Sequence, residues 1–267
     1  MPAEPSRTQT KRDTARVRIA ERRAAEAAAQ AAAERRRRTV VGSVVAAVVL
    51  VVVLVAVVLV QTHRTSTSAS AAAPPGTTDG YAFAVGAVGA VGAVGAAGAP
   101  VTVDVYEDFQ CPVCAELERT SGSTLAQLAD AGTVQLRYHP LAFLDRASTT
   151  RYSTRALNAA AVVAESGTPA FRAFHDLLFA DQPAEGSAGL TDDQLIAYAA
   201  QAGASGAAVE SGIRDLRYGD WVAAATDRGS TDGVTGTPTV FVDGTLLANA
   251  DLTPAGITAA VHAAAGS

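Results

Sequence analysis

An apolar run of 21 residues, Val40–Val60, constrains this chain more than any other feature, because it contains no charged side chain and only Gly42 and Ser43 interrupt it. A helix of that length, with a rise of about 1.5 Å per residue, extends about 31 Å, close to the thickness of a bilayer hydrocarbon core. A helix packed on a protein core would keep a polar face, and this run has none. The run therefore predicts a transmembrane helix over residues 40–60.

The distribution of charge gives the orientation of this helix. Residues 1–39 carry eleven Lys and Arg against five Asp and Glu, whereas residues 40–267 carry ten against twenty-one. The basic block Arg35–Arg38 lies directly before the apolar run, and Arg64 is the only Lys or Arg in the fifteen residues after it. By the positive-inside rule, the basic tail is cytoplasmic and everything after Val60 is extracytoplasmic.

A cleaved secretory signal is the alternative to a membrane anchor, since Ala69-Ser70-Ala71 has the small residues of a cleavage site. Its apolar region is normally only about 7 to 15 residues long, which favours the anchor. We expect the basic tail to contact anionic lipid headgroups. It contains no aromatic residue to stack on bases, so no nucleic-acid binding is expected.

Residues 61–98 are predicted to form a flexible, low-complexity tether. Gln61–Gly80 is rich in Ser, Thr, Ala and Pro and has hardly any large apolar side chain, so it cannot offset the entropy lost on ordering. Residues 86–97 read GAVGAVGAVGAA, a repeat without the proline of a collagen triplet. The remaining residues, 99–267, suffice for one domain with its own hydrophobic core.

The chain has two cysteines, Cys111 and Cys114, and they form a Cys-Pro-Val-Cys motif. The alternation of Val101–Tyr106 predicts a strand before the motif, and the apolar spacing of Ala115–Ala131 predicts a helix after it. A zinc site needs about four ligands, and the sequence offers neither a second cysteine pair nor closely spaced histidines, so we expect no metal. A purely structural disulfide is the other alternative, but a bridge closing so short a loop stabilises weakly.

The position of the motif favours redox chemistry. A thiolate at the start of a helix faces unpaired backbone N–H groups and the positive end of the helix dipole, which lower its pKa. Cys111 would hold that position and is predicted to be the attacking thiol, while Cys114, one turn further in, would resolve the mixed disulfide. Pro112 fits the first helical turn because its missing N–H would be unpaired there in any case. The expected redox centre is the Cys111–Cys114 disulfide, with no other cofactor.

Two segments resemble the motifs of the DsbA-like thioredoxins of bacterial cell envelopes. Residues 104–114 read DVYEDFQCPVC, and residues 236–244 read GTPTVFVDG. The resemblance extends over roughly residues 101–265. It implies that the Thr237–Pro238 peptide bond is cis, that Pro238 packs against the active-site disulfide, and that the Thr237 backbone pairs with the substrate chain.

The resemblance also implies the fold class: an α/β, thioredoxin-like fold with a helical subdomain inserted at about residues 150–230, preceded here by the single transmembrane helix. Helical spacing agrees with this. Helices are predicted over Arg151–Glu165, Pro169–Ala180, Thr191–Ala202 (opening with a capping box), Ser205–Arg228 (one or two helices) and Thr253–Ala265. Strands are predicted over Val134–Tyr138, Thr239–Asp243 and Leu246–Ala248, the last two joined by a turn at Asp243-Gly244.

Several polar residues near the motif are further candidates. Thioredoxins often bury a carboxylate six residues before the first cysteine, and Val105 stands there instead. Asp108 and Glu107 are the alternatives for proton transfer, although acids at the end of a strand are usually solvated. His139 and His175 are predicted to be structural, with His175 at the rim of its helix.

The resemblance implies a membrane-anchored, extracytoplasmic thiol–disulfide oxidoreductase that introduces or exchanges disulfides in exported proteins with cysteine thiols. It also implies reoxidation by a quinone-linked membrane oxidase of the DsbB or vitamin-K-epoxide-reductase type. Two alternatives stay open: an extracytoplasmic thiol reductase, and a non-enzymatic envelope binding or chaperone module whose disulfide is structural. The motif does not give the direction of electron transfer.

Overall fold

The computed structural model describes residues 71–86 and 101–266. The chain divides into two compact units, residues 1–64 and 65–267, and all described residues belong to the second. None of the helices within the described ranges is long and apolar enough to cross a membrane. The predicted basic tail, the predicted transmembrane helix over residues 40–60 and most of the predicted tether lie outside the described residues.

A mixed sheet organises the described part of the chain. Its strands are β1 (Thr77–Thr78), β2 (Ala82–Val85), β3 (Val101–Glu107), β4 (Val134–Pro140), β5 (Thr239–Val242) and β6 (Thr245–Leu246). The order is β1-β2-β4-β3-β5-β6, with β3 and β4 parallel and the other neighbours antiparallel. Strand β3 is buried almost throughout, as expected of a central strand covered on both faces.

The predicted turn between β5 and β6 is confirmed. Asp243 and Gly244 have φ values of 48° and 76°, the left-handed conformation that a type I′ hairpin turn requires at both central residues. Strand β6 is Thr245–Leu246, so it begins one residue and ends two residues earlier than predicted.

Residues 77–85, which the sequence assigns to the tether, form strands β1 and β2 and the turn between them, so the predicted tether is wrong in this part. The Phe83 ring stacks on Phe171 with ring centroids 4.2 Å apart. Trp221 donates its indole N–H to the carbonyl O of Gly80 over 2.6 Å. This short apolar stretch is ordered because it joins the sheet and covers the core. The Ser-, Ala- and Gly-rich composition around it gives no indication of these contacts.

The helices of the described ranges are α1 (Pro112–Leu117), α2 (Ser123–Asp130), α3 (Tyr152–Ala164), α4 (Thr168–Ala180), α5 (Asp192–Gln201), α6 (Ala207–Arg214), α7 (Gly219–Thr231) and α8 (Pro254–Ala264). A π-helical turn, Glu118–Gly122, separates α1 from α2, where the sequence predicts one continuous helix. Helices α3 to α7 lie where the insertion is predicted. Thr191 and Gln194 form the predicted capping box at the start of α5.

Helix α3 lies at the centre of the core. Every residue from Tyr152 to Ala164 except Arg155 is buried, and most of them are Ala, Val, Ser or Thr. Such small side chains let α4, α5, α6 and α7 pack closely against α3. Helix α2 packs on β4, α8 packs on β5, and the two helices contact each other. This packing fixes the end of β3, from which the cysteine motif follows.

Candidate active site

The cysteine motif begins where β3 ends, as predicted. The chain leaves the strand at Glu107, passes through a turn in which Cys111 N–H donates to Asp108 O over 2.9 Å, and enters α1 at Pro112. Cys111 is the N-cap residue of α1, and the Cys114 N–H donates to its carbonyl O over 3.0 Å. Both thiols are free, so the structure shows the reduced pair.

Cys111 carries the more accessible and more acidic thiol. Its residue is 7% exposed, whereas Cys114 is fully buried. The pKa of Cys111 is lowered to about 6, and a hydrogen bond from the Cys114 thiol contributes most to this change. Burial opposes it. The Thr237 side chain and the backbone N–H groups of Cys114 and Val113 lower the pKa further. These N–H groups belong to the first turn of α1, at the helix N-terminus from which the sequence predicts this effect.

Cys114 has the opposite environment. Burial raises its pKa far above the usual range of a thiol, and both the hydrogen bond with Cys111 and the negative charge of Cys111 raise it further. The backbone N–H of Asp108 faces the Cys114 sulfur and offsets only part of this rise. At neutral pH the pair therefore holds a thiolate on Cys111 and a proton on Cys114. This distribution of charge is consistent with the predicted roles of Cys111 as the attacking thiol and Cys114 as the resolving thiol, and both roles stay predictions.

The second motif lies beside the first. Antiparallel pairing places Tyr106 of β3 opposite Thr239 of β5, which brings the residues before β5 next to the cysteines. The Thr237–Pro238 bond is cis, as the resemblance implies. When it is protonated, the Cys111 thiol donates to the Thr237 carbonyl O over 3.3 Å, although 126 residues separate them in sequence. The structure thus unites the two motifs, while the substrate-binding role of Thr237 and Pro238 stays a prediction.

Asp108, one of the two carboxylates predicted for proton transfer, is fully buried rather than solvated. Its carboxylate accepts hydrogen bonds from Gln110 N (2.9 Å), Ser153 Oγ (2.7 Å) and Leu144 N (3.0 Å). Burial raises its pKa to about 6, although these three hydrogen bonds oppose the rise. Asp108 therefore fastens the cysteine loop to the first turn of α3, next to both thiols.

Glu107, the other predicted carboxylate, belongs to a second buried group of polar side chains. Its Oε1 lies 2.8 Å from Nε2 of His175, and both side chains are 1% exposed. Although burial alone would lower it, the pKa of His175 is raised well above its usual value, by the charge of Glu107 and by hydrogen bonds with Asp176 and Glu107. The prediction that His175 packs at the rim is wrong, because Glu107 supplies a charged partner inside the core.

Glu118 completes this group, and sequence reasoning missed it. Burial raises its pKa to about 7, and the nearby His175 opposes the rise. One signal was present: Glu118 follows Cys114 by four residues, which places it on the same side of the active-site helix as the buried cysteine.

Two glutamines hold the cysteine loop against the connection between α4 and α5. Gln182 Nε2 donates to the carbonyl O of Cys111 over 2.9 Å and to that of Phe109 over 3.3 Å. Gln110, which stands where thioredoxins have a Trp, donates from Nε2 to the carbonyl O atoms of Ala184 and Ser187, each over 3.2 Å. No local pattern marks Gln182, since it lies 71 residues from Cys111.

His139 contacts neighbouring side chains of the sheet, as expected of a structural residue. Its Nε2 lies 2.7 Å from Asp104 Oδ1, and its ring stacks on Tyr106 with ring centroids 4.2 Å apart.

Residues 89–263 match the thioredoxin family. DsbA from Mycobacterium tuberculosis, solved in its oxidised form, is 36% identical to this chain; the match covers 70% of this chain and 93% of that one, with a TM-score of 0.61. This chain belongs to the DsbA-like thioredoxins. The reduced disulfide bond oxidoreductase DsbG from Mycobacterium tuberculosis is also similar, with 35% identity, coverage of 75% and 93%, and a TM-score of 0.62.

A segment of the DsbA-like chain is also similar to a protein of another class. The serine/threonine-protein kinase PknE from Mycobacterium tuberculosis is 32% identical over 159 residues, which are 57% of this chain and 28% of the kinase. The chain therefore spans less than a third of the length of this curated relative. The solved DsbA-like structures, in contrast, match this chain over nearly their whole length, which supports protein-disulfide oxidoreductase activity.

The different acidities of the two cysteines predict a pH profile for alkylation of the reduced DsbA-like chain. We expect the rate of Cys111 modification by iodoacetamide to rise with a midpoint near pH 6, because only the thiolate reacts. Cys114 stays unmodified because its pKa is raised and its side chain is buried. Mass spectrometry of the labelled peptides locates the modification. Cys114→Ala lacks the hydrogen bond that lowers the Cys111 pKa most, so its midpoint is expected at higher pH. A wild-type midpoint near 9, the ordinary value of a thiol, would contradict the low pKa of Cys111.

Proposed function

We propose that this chain is an extracytoplasmic enzyme that introduces or exchanges disulfides in exported proteins through Cys111 and Cys114. The observation that carries the direction of transfer is the stabilised Cys111 thiolate of the reduced pair. Stabilising the reduced pair raises the reduction potential, so that the disulfide becomes a stronger oxidant. The pair therefore favours giving its disulfide to a substrate.

The proposed reaction begins from the Cys111–Cys114 disulfide. A substrate thiolate attacks Cys111 Sγ, the Cys111–Cys114 bond breaks, and Cys114 leaves and takes up a proton. A second substrate thiolate then attacks the substrate sulfur of the mixed disulfide, and Cys111 leaves as a thiolate. The substrate loses two electrons and the cysteine pair gains them. The low pKa of Cys111 favours this last step, because a more acidic thiol is a better leaving group.

Substrate contacts are proposed on the surface around Cys111. The Thr237 backbone would pair with the substrate chain, and its carbonyl O already lies within 3.3 Å of the Cys111 sulfur. Val113, between the two cysteines, is 60% exposed and offers an apolar contact for the residues that flank a substrate thiol.

The buried carboxylates Asp108 and Glu107 are the candidates for transferring a proton to Cys114. Asp108 has the better support, since its backbone N–H faces the Cys114 sulfur and its side chain is held in place by three hydrogen bonds. Glu107 is engaged with His175 instead.

The location and partners belong to the same proposal. The apolar run Val40–Val60 and the excess of arginine before it support a single membrane anchor with the catalytic domain outside the cytoplasm. Each turnover leaves the pair reduced, so a further oxidant is required. A quinone-linked membrane oxidase of the DsbB or vitamin-K-epoxide-reductase type would supply it, in the same bilayer as the anchor.

The reduction potential of the pair tests the proposed direction. Residues 65–267, one compact unit, are equilibrated in glutathione buffers, and the fractions of dithiol and disulfide are measured. We expect a potential above roughly −180 mV, in the range of strong disulfide donors. A value near or below about −270 mV would favour the reductase instead. A bridge that stays closed well below about −300 mV would favour a structural disulfide in a non-enzymatic module.

A further inference from the structure

Three polar side chains from three elements converge in the core. Glu107 ends β3, Glu118 begins the π-helical turn after α1, and His175 lies in α4. One ligating atom of each lies within 4.8 Å of those of the other two. Carboxylate oxygen and imidazole nitrogen are ligands of Zn²⁺ and related ions.

Two oxygens of this group have no hydrogen-bond partner among the described residues. They are Glu107 Oε2 and Glu118 Oε1, and both atoms are buried. The Glu107 side chain is 1% exposed, so water outside the protein does not reach its free oxygen. When both carboxylates are ionised and the imidazole is neutral, the group carries a charge of −2, which one divalent cation neutralises.

A carboxylate lies next to each ring nitrogen of His175, and metal-bound histidines usually have such a carboxylate on the nitrogen that faces away from the metal. Its Nε2 points at the Glu107 carboxylate over 2.8 Å, and its Nδ1 lies 3.3 Å from Asp176 Oδ1. With the proton on Nδ1, donated to Asp176, the Nε2 lone pair faces the group of carboxylates. A carboxylate on the far nitrogen fixes the tautomer and the orientation of a ligating imidazole.

Gly122 makes room for the third ligand. A Cβ atom at this position would lie 2.6 Å from Glu118 Oε2. The inward orientation of the Glu118 carboxylate therefore depends on the glycine. A π-helical turn is itself a feature found frequently at functional sites.

A path for a small cation is also present. A surface cavity of about 760 Å³ is lined by Glu118, Asp176, Tyr138 and Arg172, among other residues. It therefore reaches one of the three candidate ligands, Glu118, and the carboxylate of Asp176 beside His175.

We propose that Glu107, Glu118 and His175 bind one divalent cation of the Zn²⁺ type. The cation would tie the end of β3 and the active-site helix to α4, and its binding would release the proton shared between His175 Nε2 and Glu107. The cysteines are not among the ligands, and the inference does not depend on the direction of disulfide transfer.

Calorimetric titration with Zn²⁺ alone tests the site in the purified, untagged full-length chain. The chain is first oxidised, so that the Cys111–Cys114 disulfide cannot bind the metal. We expect one Zn²⁺ per chain and a higher thermal midpoint of unfolding in its presence. Glu118→Gln removes a ligand and weakens binding by more than about 100-fold, and Gly122→Ala, which only displaces that ligand, by about 10- to 100-fold.

Matched variants separate this site from the surface carboxylates. Glu116→Gln changes an exposed acid that lines the same cavity, and Gly219→Ala changes a helical glycine whose Cβ would make only an ordinary contact of 3.5 Å with Leu216. Both are expected to bind Zn²⁺ like the wild type. Absence of saturable binding, or equal losses in Glu116→Gln and Glu118→Gln, would overturn the proposal. If Glu118→Gln fails to fold, unchanged affinity in Gly122→Ala would overturn it in the same way.

Discussion

Cys111→Ser is expected to abolish disulfide transfer to a reduced substrate protein, with a loss of at least about 1000-fold in rate. A serine hydroxyl cannot form the mixed disulfide. Cys114 cannot replace it, because Cys114 is fully buried and its pKa is raised far above that of a free thiol. The measurement is the recovery of activity by a reduced, unfolded substrate enzyme whose native state requires disulfides.

Cys114→Ser is the matched control for this loss. It keeps the Cys111 thiol and is tested with a substrate protein that already carries a disulfide. The Cys111 thiolate attacks this disulfide and one substrate sulfur leaves as a thiol; without Cys114 to resolve it, the mixed disulfide accumulates and is visible on a non-reducing gel. The Cys111→Ser chain forms no such complex. Comparable thermal midpoints of the two variants would show that both are folded. Substrate oxidation that survives in Cys111→Ser would mean that transfer does not pass through this sulfur.

The second large effect is expected on stability, at Gly189. This residue has a φ of 69°, and a Cβ there would overlap the ring of Tyr152, which is fully buried at the start of α3. Gly189→Ala adds both backbone strain and a steric overlap that the core cannot relieve. We expect the free energy of unfolding to fall by roughly 3–5 kcal/mol, measured by urea denaturation.

Gly186→Ala separates the two causes, since the same loop has a second glycine with a similar backbone. Its φ is 77°, and the nearest atom to a Cβ would be the Ala147 carbonyl O at 3.7 Å, an ordinary contact. Only the strain remains, so the loss is expected to be about 1 kcal/mol. Equal losses in the two variants would mean that the Tyr152 ring moves aside and that its packing does not restrain this loop.

Features encoded within a few residues could be predicted from the sequence. The turn at Asp243-Gly244 and the capping box of Thr191 and Gln194 each depend on neighbours no more than three residues apart. The helix start at Cys111 and Pro112 is of the same kind, because a proline in the first turn and a strand before it are visible in the sequence itself.

Features that depend on burial by distant segments could not be predicted. The sequence presents Glu107 as a strand-end acid and His175 as a histidine at the rim of its helix. Only the packing of α4 on the end of β3 makes these two residues, 68 apart in sequence, partners. Strand β2 is similar: Phe83 is surrounded by the composition of a linker, and its stacking on Phe171 is what gives the segment a place in the sheet. Tertiary contacts, rather than local preference, decide both outcomes.

The separation of 126 residues between Cys111 and Thr237 has a consequence for the maturation of the enzyme itself. Thr237 contributes to the acidity of the Cys111 thiol, and it comes to its place only when β5 joins β3. A chain truncated or still unfolded beyond α7 lacks this contribution, so its thiol is less ionised at neutral pH and a slower nucleophile. The Cys111 thiol therefore reaches its full acidity only once β5 has joined β3, and an incomplete chain is expected to form disulfides with its neighbours more slowly than the finished enzyme.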